Sequence, residues 1–158
     1  MEPNRLQASH CFAFEHDFMG SWRCIPLCVR RKLDLIGLKL KLSHWLALCQ
    51  EQRQQIVDWP DQAEALGQLR EQLLSWTRPM ADGEAKALPA AVAEPWQQPE
   101  RIPEEVARAA QQRSIHLGAE EWNTLQELER FALCKLARPG HDHHNLDAAF
   151  AELLSSRP

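Results

Sequence analysis

The sequence has no apolar run approaching the ~20 residues that a membrane-spanning helix needs. The first ten residues, MEPNRLQASH, hold nothing like the apolar stretch of a secretory leader. A cytoplasmic protein that makes no membrane contact is therefore expected. No segment alternates strongly enough between apolar and polar residues to supply a sheet core. There is no glycine-rich phosphate loop, no G-x-S-x-G and no H-E-x-x-H. The commonest signatures of nucleotide-binding proteins, serine hydrolases and zinc proteases are thus missing, and neither catalysis nor a cofactor is expected. Five cysteines (Cys11, Cys24, Cys28, Cys49 and Cys134) are an odd number at irregular spacing, which argues against a disulfide framework. In a reducing compartment most of them are expected to act as small buried hydrophobes.

What remains is an ordinary globular composition. With 158 residues, 44% of them hydrophobic, the chain can bury a real core. One domain is expected over residues 1–158, with a loose N-terminal tail at 1–11 and a Pro-rich connecting loop at 79–102. The net charge is −4, but residues 23 to 41 hold Arg23, Arg30, Arg31, Lys32, Lys39 and Lys41 against Asp34, a local +5 that leaves −9 for the rest. That balance disfavours general nucleic-acid binding and leaves room for one local anionic partner.

Apolar spacing predicts an all-α fold, a compact bundle of about five to six helices. FAFEHDF (12–18) places Phe12, Phe14 and Phe18 on alternate positions, as a short extended arm would. Pro26 suits the first turn of a helix whose apolar stripe is Ile25, Val29, Leu33 and Ile36, stopped by Gly37. Ser43 is the expected cap of a second helix, with Trp45, Leu48, Cys49, Ile56 and Trp59 on its inner face and Pro60 as its boundary. A third helix is expected at about 62–78, then others at about 103–114, 120–137 and 145–155. Five prolines between Pro79 and Pro103 forbid a long regular element there, so that stretch is either mobile or pinned by Trp96.

The chain also resembles itself. Shifted by 77 residues, IPLCVRRKLDLIGLKLKLSHWLALCQEQR (25–53) lies without a gap over IPEEVARAAQQRSIHLGAEEWNTLQELER (102–130), with eight of 29 positions identical. The physical reading is two repeated helix-turn-helix hairpins, each opened by proline and each with a tryptophan near the start of its second helix.

The repeat bears on the cysteines and basic residues that follow Trp22. Pro26 is matched by Pro103, which no cysteine accompanies, so Ile-Pro reads as helix initiation. Cys24 and Cys28 are spaced C-x3-C, not the C-x2-C of zinc knuckles. Cys24, beside a helix N-terminus and next to Arg23, is a candidate reactive thiol. Arg23, Arg30, Arg31, Lys32, Lys39 and Lys41 are the candidate partner-binding residues, a docking patch for an acidic protein surface or a phosphate-bearing cofactor. In PGHDHHNLD (139–147), His141 and His143 are weak metal candidates, because the spacing does not put two imidazoles on one helix face. No metal site is expected.

Residues 12–45, FAFEHDFMGSWRCIPLCVRRKLDLIGLKLKLSHW, resemble the N-terminal signature of the nitrate reductase-associated proteins. Residues 128–153, LERFALCKLARPGHDHHNLDAAFAEL, are similar to that family's closing block. Leu27 stands where methionine is usual, and Cys28, His143 and His144 fall at variable positions. The resemblance implies a cytoplasmic accessory of an assimilatory molybdenum nitrate reductase, a non-catalytic assembly factor that partners the reductase or its molybdenum cofactor. Two other readings stay open from the residues: a thiol- or metal-dependent delivery factor for cofactor maturation, and a helix-turn-helix regulator.

Overall fold

The computed structural model describes residues 7–18, 23–138 and 145–155, without the side chains of residues 16–18 and 155. The chain divides into two compact units, Met1–Cys11 with Glu15–Ala91 and Phe12–Phe14 with Val92–Pro158. The expected all-helical class holds. Among the described residues there are eight α-helices, two short 3-10 helices and one two-stranded ribbon.

In the first unit, α1 spans Leu27–Ile36 with Pro26 as its N-cap at φ −65°. The Pro26 carbonyl accepts the Val29 and Arg30 N–H groups at 3.1 and 3.0 Å. Ile25, Val29, Leu33 and Ile36 are buried, as their spacing predicts. Gly37, left-handed at φ 70°, ends the helix and donates to the Leu33 carbonyl at 2.9 Å. A two-residue strand β1 (Leu38–Lys39) then pairs antiparallel with β2 (Lys86–Ala87). Helices α2 (Leu42–Ala47), α3 (Gln50–Val57) and α4 (Ala63–Thr77) complete the unit. Helix α4 packs on α1 and buries Leu69 and Leu73, while α3 packs on the same helix.

In the second unit, α5 (Glu104–Gln112), α6 (Ala119–Thr124), α7 (Glu127–Leu136) and α8 (Leu146–Ser155) follow a 3-10 turn at Pro95–Gln97. Helix α7 is the hub, packed against that turn, α5 and α8. Trp96 pins the Pro-rich stretch: it is buried, its ring meets Phe131 edge-on at 5.0 Å, and its carbonyl accepts Arg130 Nε at 3.0 Å.

The 77-residue repeat is present in the coordinates, with three helices in each copy rather than a hairpin. Helices α1, α2 and α3 begin at Leu27, Leu42 and Gln50, and α5, α6 and α7 begin at Glu104, Ala119 and Glu127, each 77 residues later. Even the turn is matched, since Ser114 takes φ 56° where Gly37 takes 70°. Leu69 and Leu73 of α4 correspond to Leu146 and Phe150 of α8, and all four are buried.

The helix count corrects the expectation of five to six, because two of the expected helices each break into two. Leu48 and its counterpart Leu125 are extended (ψ 149° and 148°) and drop their side chains into the core. The next residue starts a new helix, its N–H bonded to a side chain three positions on: Cys49 to Gln52 at 2.9 Å, and Gln126 to Glu129 at 2.7 Å. An arginine staples each break. Arg53 donates to the Trp45 and Leu46 carbonyls, and Arg130 to that of Leu125. Cys49, expected on an inner face, is therefore exposed at the break.

Two smaller expectations also change. Lys41, not Ser43, is the N-cap of α2, and Ser43 points its hydroxyl at Asp82. The expected extended arm at 12–18 is instead a 3-10 helix over Ala13–Phe18, with the Phe12 and Phe14 rings stacked at 5.0 Å; the Phe18 side chain lies outside the described residues. Of the tail at 1–11, residues 1–6 also lie outside them, while Ala8 is buried and Cys11 half-buried.

Candidate functional site

The six cations of the expected patch separate into two groups. Lys32 and Arg31 are buried inside the first unit, 0% and 5% exposed. The reason lies in α1, whose buried face covers residues 27–29, 31–33 and 36, much wider than the stripe of four apolar residues. Lys32 Nζ donates to the carbonyls of Ile56 (2.7 Å), Val57 (2.9 Å) and Trp59 (2.9 Å). These are among the last carbonyls of α3 and its exit, groups that a helix end leaves without partners and whose partial charge favours a cation. The ammonium thus does the work of a C-cap. Arg31 pairs with Asp61 at 2.9 Å. Neither side chain can meet an external anion, and both leave the patch.

Burial pushes the Lys32 ammonium down from the ordinary 10.5 to about 8, against the opposing influence of Cys28, Asp61 and Asp58. The folded value lies below the unfolded one, so between pH 8 and 10.5 the unfolded chain binds more protons. Stability conferred through this residue is expected to rise with pH across that window, by up to ~3 kcal/mol. Urea titrations at pH 7 to 10 check this, compared with Lys32→Met. The difference between the two curves carries the slope due to Lys32, and parallel curves would disprove the assignment.

Arg23, Arg30, Lys39 and Lys41 are exposed. Arg30 folds back along the helix entry, its Nε donating to the Ile25 carbonyl at 3.2 Å. Lys39 and Lys41 alternate with buried Leu38 and Leu40, so both project from the solvent side of one extended segment. The register of the ribbon places Lys86 directly opposite Lys39. Lys86 was not legible as a site residue. It lies in the Pro-rich stretch, and only strand pairing brings it to the patch. Like charges facing each other across two strands are unfavourable for the ribbon itself, and an anion laid across them relieves that repulsion. The patch is edged by Asp82. The Ser43 hydroxyl holds its carboxyl below the ordinary range, with Lys41 and His44 adding to the effect.

Cys24 is exposed beside the entry to α1. His141 and His143 lie outside the described residues. Among the described residues no group of three or more His, Cys, Asp and Glu side chains is placed to hold a metal, and no helix is long and apolar enough to cross a membrane. Arg53, the fixed cation of the helix that a DNA-reading hairpin would use, is committed to the Trp45 and Leu46 carbonyls.

In the second unit a cleft of about 510 Å³ is lined by Pro95, Arg101, Pro103, Val106, Arg108 and Cys134, among others. Burial pushes the Cys134 thiol up to about 12, so it stays protonated, and Arg108 is paired with Glu104.

No curated protein and no solved structure matches the chain. The family model of the conserved nitrate reductase-associated proteins matches residues 11–153, a span that takes in both repeats and the lysine ribbon. The chain belongs to the conserved nitrate reductase-associated protein family.

Proposed function

We propose that the protein is a non-catalytic accessory that supports assembly or activity of an assimilatory molybdenum nitrate reductase by binding the reductase or its cofactor. Family membership carries this reading, because it links the chain to the reductase. The ribbon of Lys39, Lys41 and Lys86, with Arg23 and Arg30 on the same unit, supplies a surface of the right sign for an acidic protein face or for cofactor phosphates. Flexible lysines at the rim of an interface act mainly through encounter and register, so binding through them weakens as salt rises.

Co-purification from cells that express both proteins tests the reading. The triple variant Lys39→Glu, Lys41→Glu, Lys86→Glu is expected to reduce capture of the reductase by at least tenfold, about 1.4 kcal/mol. Molybdenum content of the reductase should fall in parallel if the accessory acts in cofactor loading. Undiminished capture by the triple variant would remove the ribbon from the interface. No association of the wild-type protein, together with normal reductase activity in its absence, would remove the accessory role.

A further inference from the structure

Among the described residues four large apolar side chains stand largely exposed, and two of them share the six-residue helix α2. Leu42 and Leu46 are 50% and 47% exposed and lie four positions apart, so they sit side by side as one ridge. His44 and Trp45 of the same helix are buried. The second repeat supplies a comparison inside the same chain. Its helix α6 keeps the buried tryptophan as Trp122, yet at the positions of the two leucines it carries Ala119 and Asn123, both exposed. This place in the fold therefore does not itself call for leucine. Single exposed apolar residues are ordinary, but an adjacent pair that the matching helix lacks points to a contact.

The ridge is continuous with the lysine ribbon. Lys39 and Lys41 project from the segment that runs into α2, Lys41 is the N-cap of that helix, and Leu42 is its first residue. Side-chain hydrogen bonds tie helix and ribbon together. His44 Nδ1 accepts the Lys41 N–H at 3.1 Å, and its Nε2 donates to the Gly83 carbonyl at 2.8 Å. The Ser43 hydroxyl donates to Asp82. Asp82 and Gly83 belong to the segment that leads into β2 and Lys86, so the leucines and the lysines are presented on one braced surface.

We propose that Leu42 and Leu46 are the apolar centre of a docking surface rimmed by Lys39, Lys41 and Lys86, and that its occupant is an acidic amphipathic helix of the reductase. The inference rests on association with that enzyme, and it selects protein rather than cofactor as what the ribbon meets. Cofactor phosphates would use the lysines and leave the leucines in water. A protein helix uses both, its apolar side chains covering the ridge and its flanking Asp or Glu meeting the lysines. Three lysines outweigh Asp82, the carboxylate held against α2, so the surface favours a negative segment. A second copy of this chain is a poor occupant, because a twofold contact through the ridge sets each lysine group against its own copy.

The test gives the first repeat the residues of the second, Leu42→Ala with Leu46→Asn, in the full-length protein co-expressed with the reductase. Both positions are exposed, so the midpoint of urea unfolding should be unchanged. Capture of the reductase is expected to fall at least tenfold. That defect should persist at about 0.5 M salt, where the defect of the triple lysine-to-glutamate variant shrinks, because salt screens charge but does not weaken apolar contact. A benzophenone side chain in place of Ala47, exposed beside the ridge, should cross-link to a reductase peptide that carries Asp or Glu around large apolar residues at helical spacing. Undiminished capture by the leucine variant, a defect that vanishes at high salt, or a cross-link to a second copy of this chain or to a reductase peptide without acidic residues would each overturn the proposal and leave the accessory role standing. No capture by the wild-type protein would remove both.

Discussion

Replacing Lys32 with methionine is expected to destabilise the protein by about 3 kcal/mol at neutral pH. Methionine fills nearly the same volume, so no large cavity is made and the packing of α1 is retained. What is lost is the donor shared by the Ile56, Val57 and Trp59 carbonyls. The Ile56 carbonyl keeps the Trp59 N–H at 3.2 Å, but the Val57 carbonyl is left a buried acceptor without its donor, and an orphaned acceptor costs about 1–3 kcal/mol before relaxation. Removing a desolvated ammonium works in the opposite direction, which keeps the net effect nearer one such loss than three. Lys32→Arg should not rescue the loss, because a planar guanidinium cannot direct three donors at one converging set of carbonyls. The midpoint of urea unfolding, at unchanged slope, reads the effect. A loss under 1 kcal/mol would mean that the end of α3 finds another partner.

Gly37→Ala is expected to cost a further amount of similar size, about 3 kcal/mol. The backbone there is left-handed, which costs a residue with a side chain about 1 kcal/mol. A methyl group would also stand 2.4 Å from the Leu88 carbonyl oxygen and 3.1 Å from the Ala90 nitrogen. These obstacles are backbone atoms and cannot swing aside as a side chain would. The chain from Leu88 to Ala91 must move, which strains the Leu88-to-Gly37 and Ala91-to-Asp34 hydrogen bonds of 2.8 and 2.9 Å, about 1 kcal/mol each. That stretch holds β2 in register, so the variant should also separate Lys86 from Lys39 and weaken reductase capture beyond what its stability loss explains. The second repeat offers the control. Ser114 adopts the same left-handed turn without being glycine, so Ser114→Gly should gain about 0.5–1 kcal/mol. Equal responses at both positions would refute the argument from close backbone approach.

Several elements were readable because their causes are local. Pro26 and Pro103 begin equivalent helices, Gly37 ends one, and the apolar spacing of α1 and α4 predicts where those helices lie. The repeat was visible as eight identities, and the coordinates extend it to helix starts that coincide at the same shift. The breaks at Leu48 and Leu125 were hidden. A leucine continues a helical pattern as well as it interrupts one, and only the pull of the core selects the extended conformation. The patch was half readable. A run such as Arg30-Arg31-Lys32 announces charge but not which side of the helix is wide enough to take charge in.

What the sequence determined by itself is the helical class, the two-fold repetition, the family and the concentration of positive charge between residues 23 and 41, because each is written in neighbouring residues or in a fixed period. What only the tertiary structure decided is where that charge ends up. Lys32 turns inward to three carbonyls some 25 positions away, and Lys86 comes to Lys39 across a ribbon. Contacts made by chain segments far apart in sequence follow from burial and backbone hydrogen bonding, and they leave no mark in the local pattern of either partner.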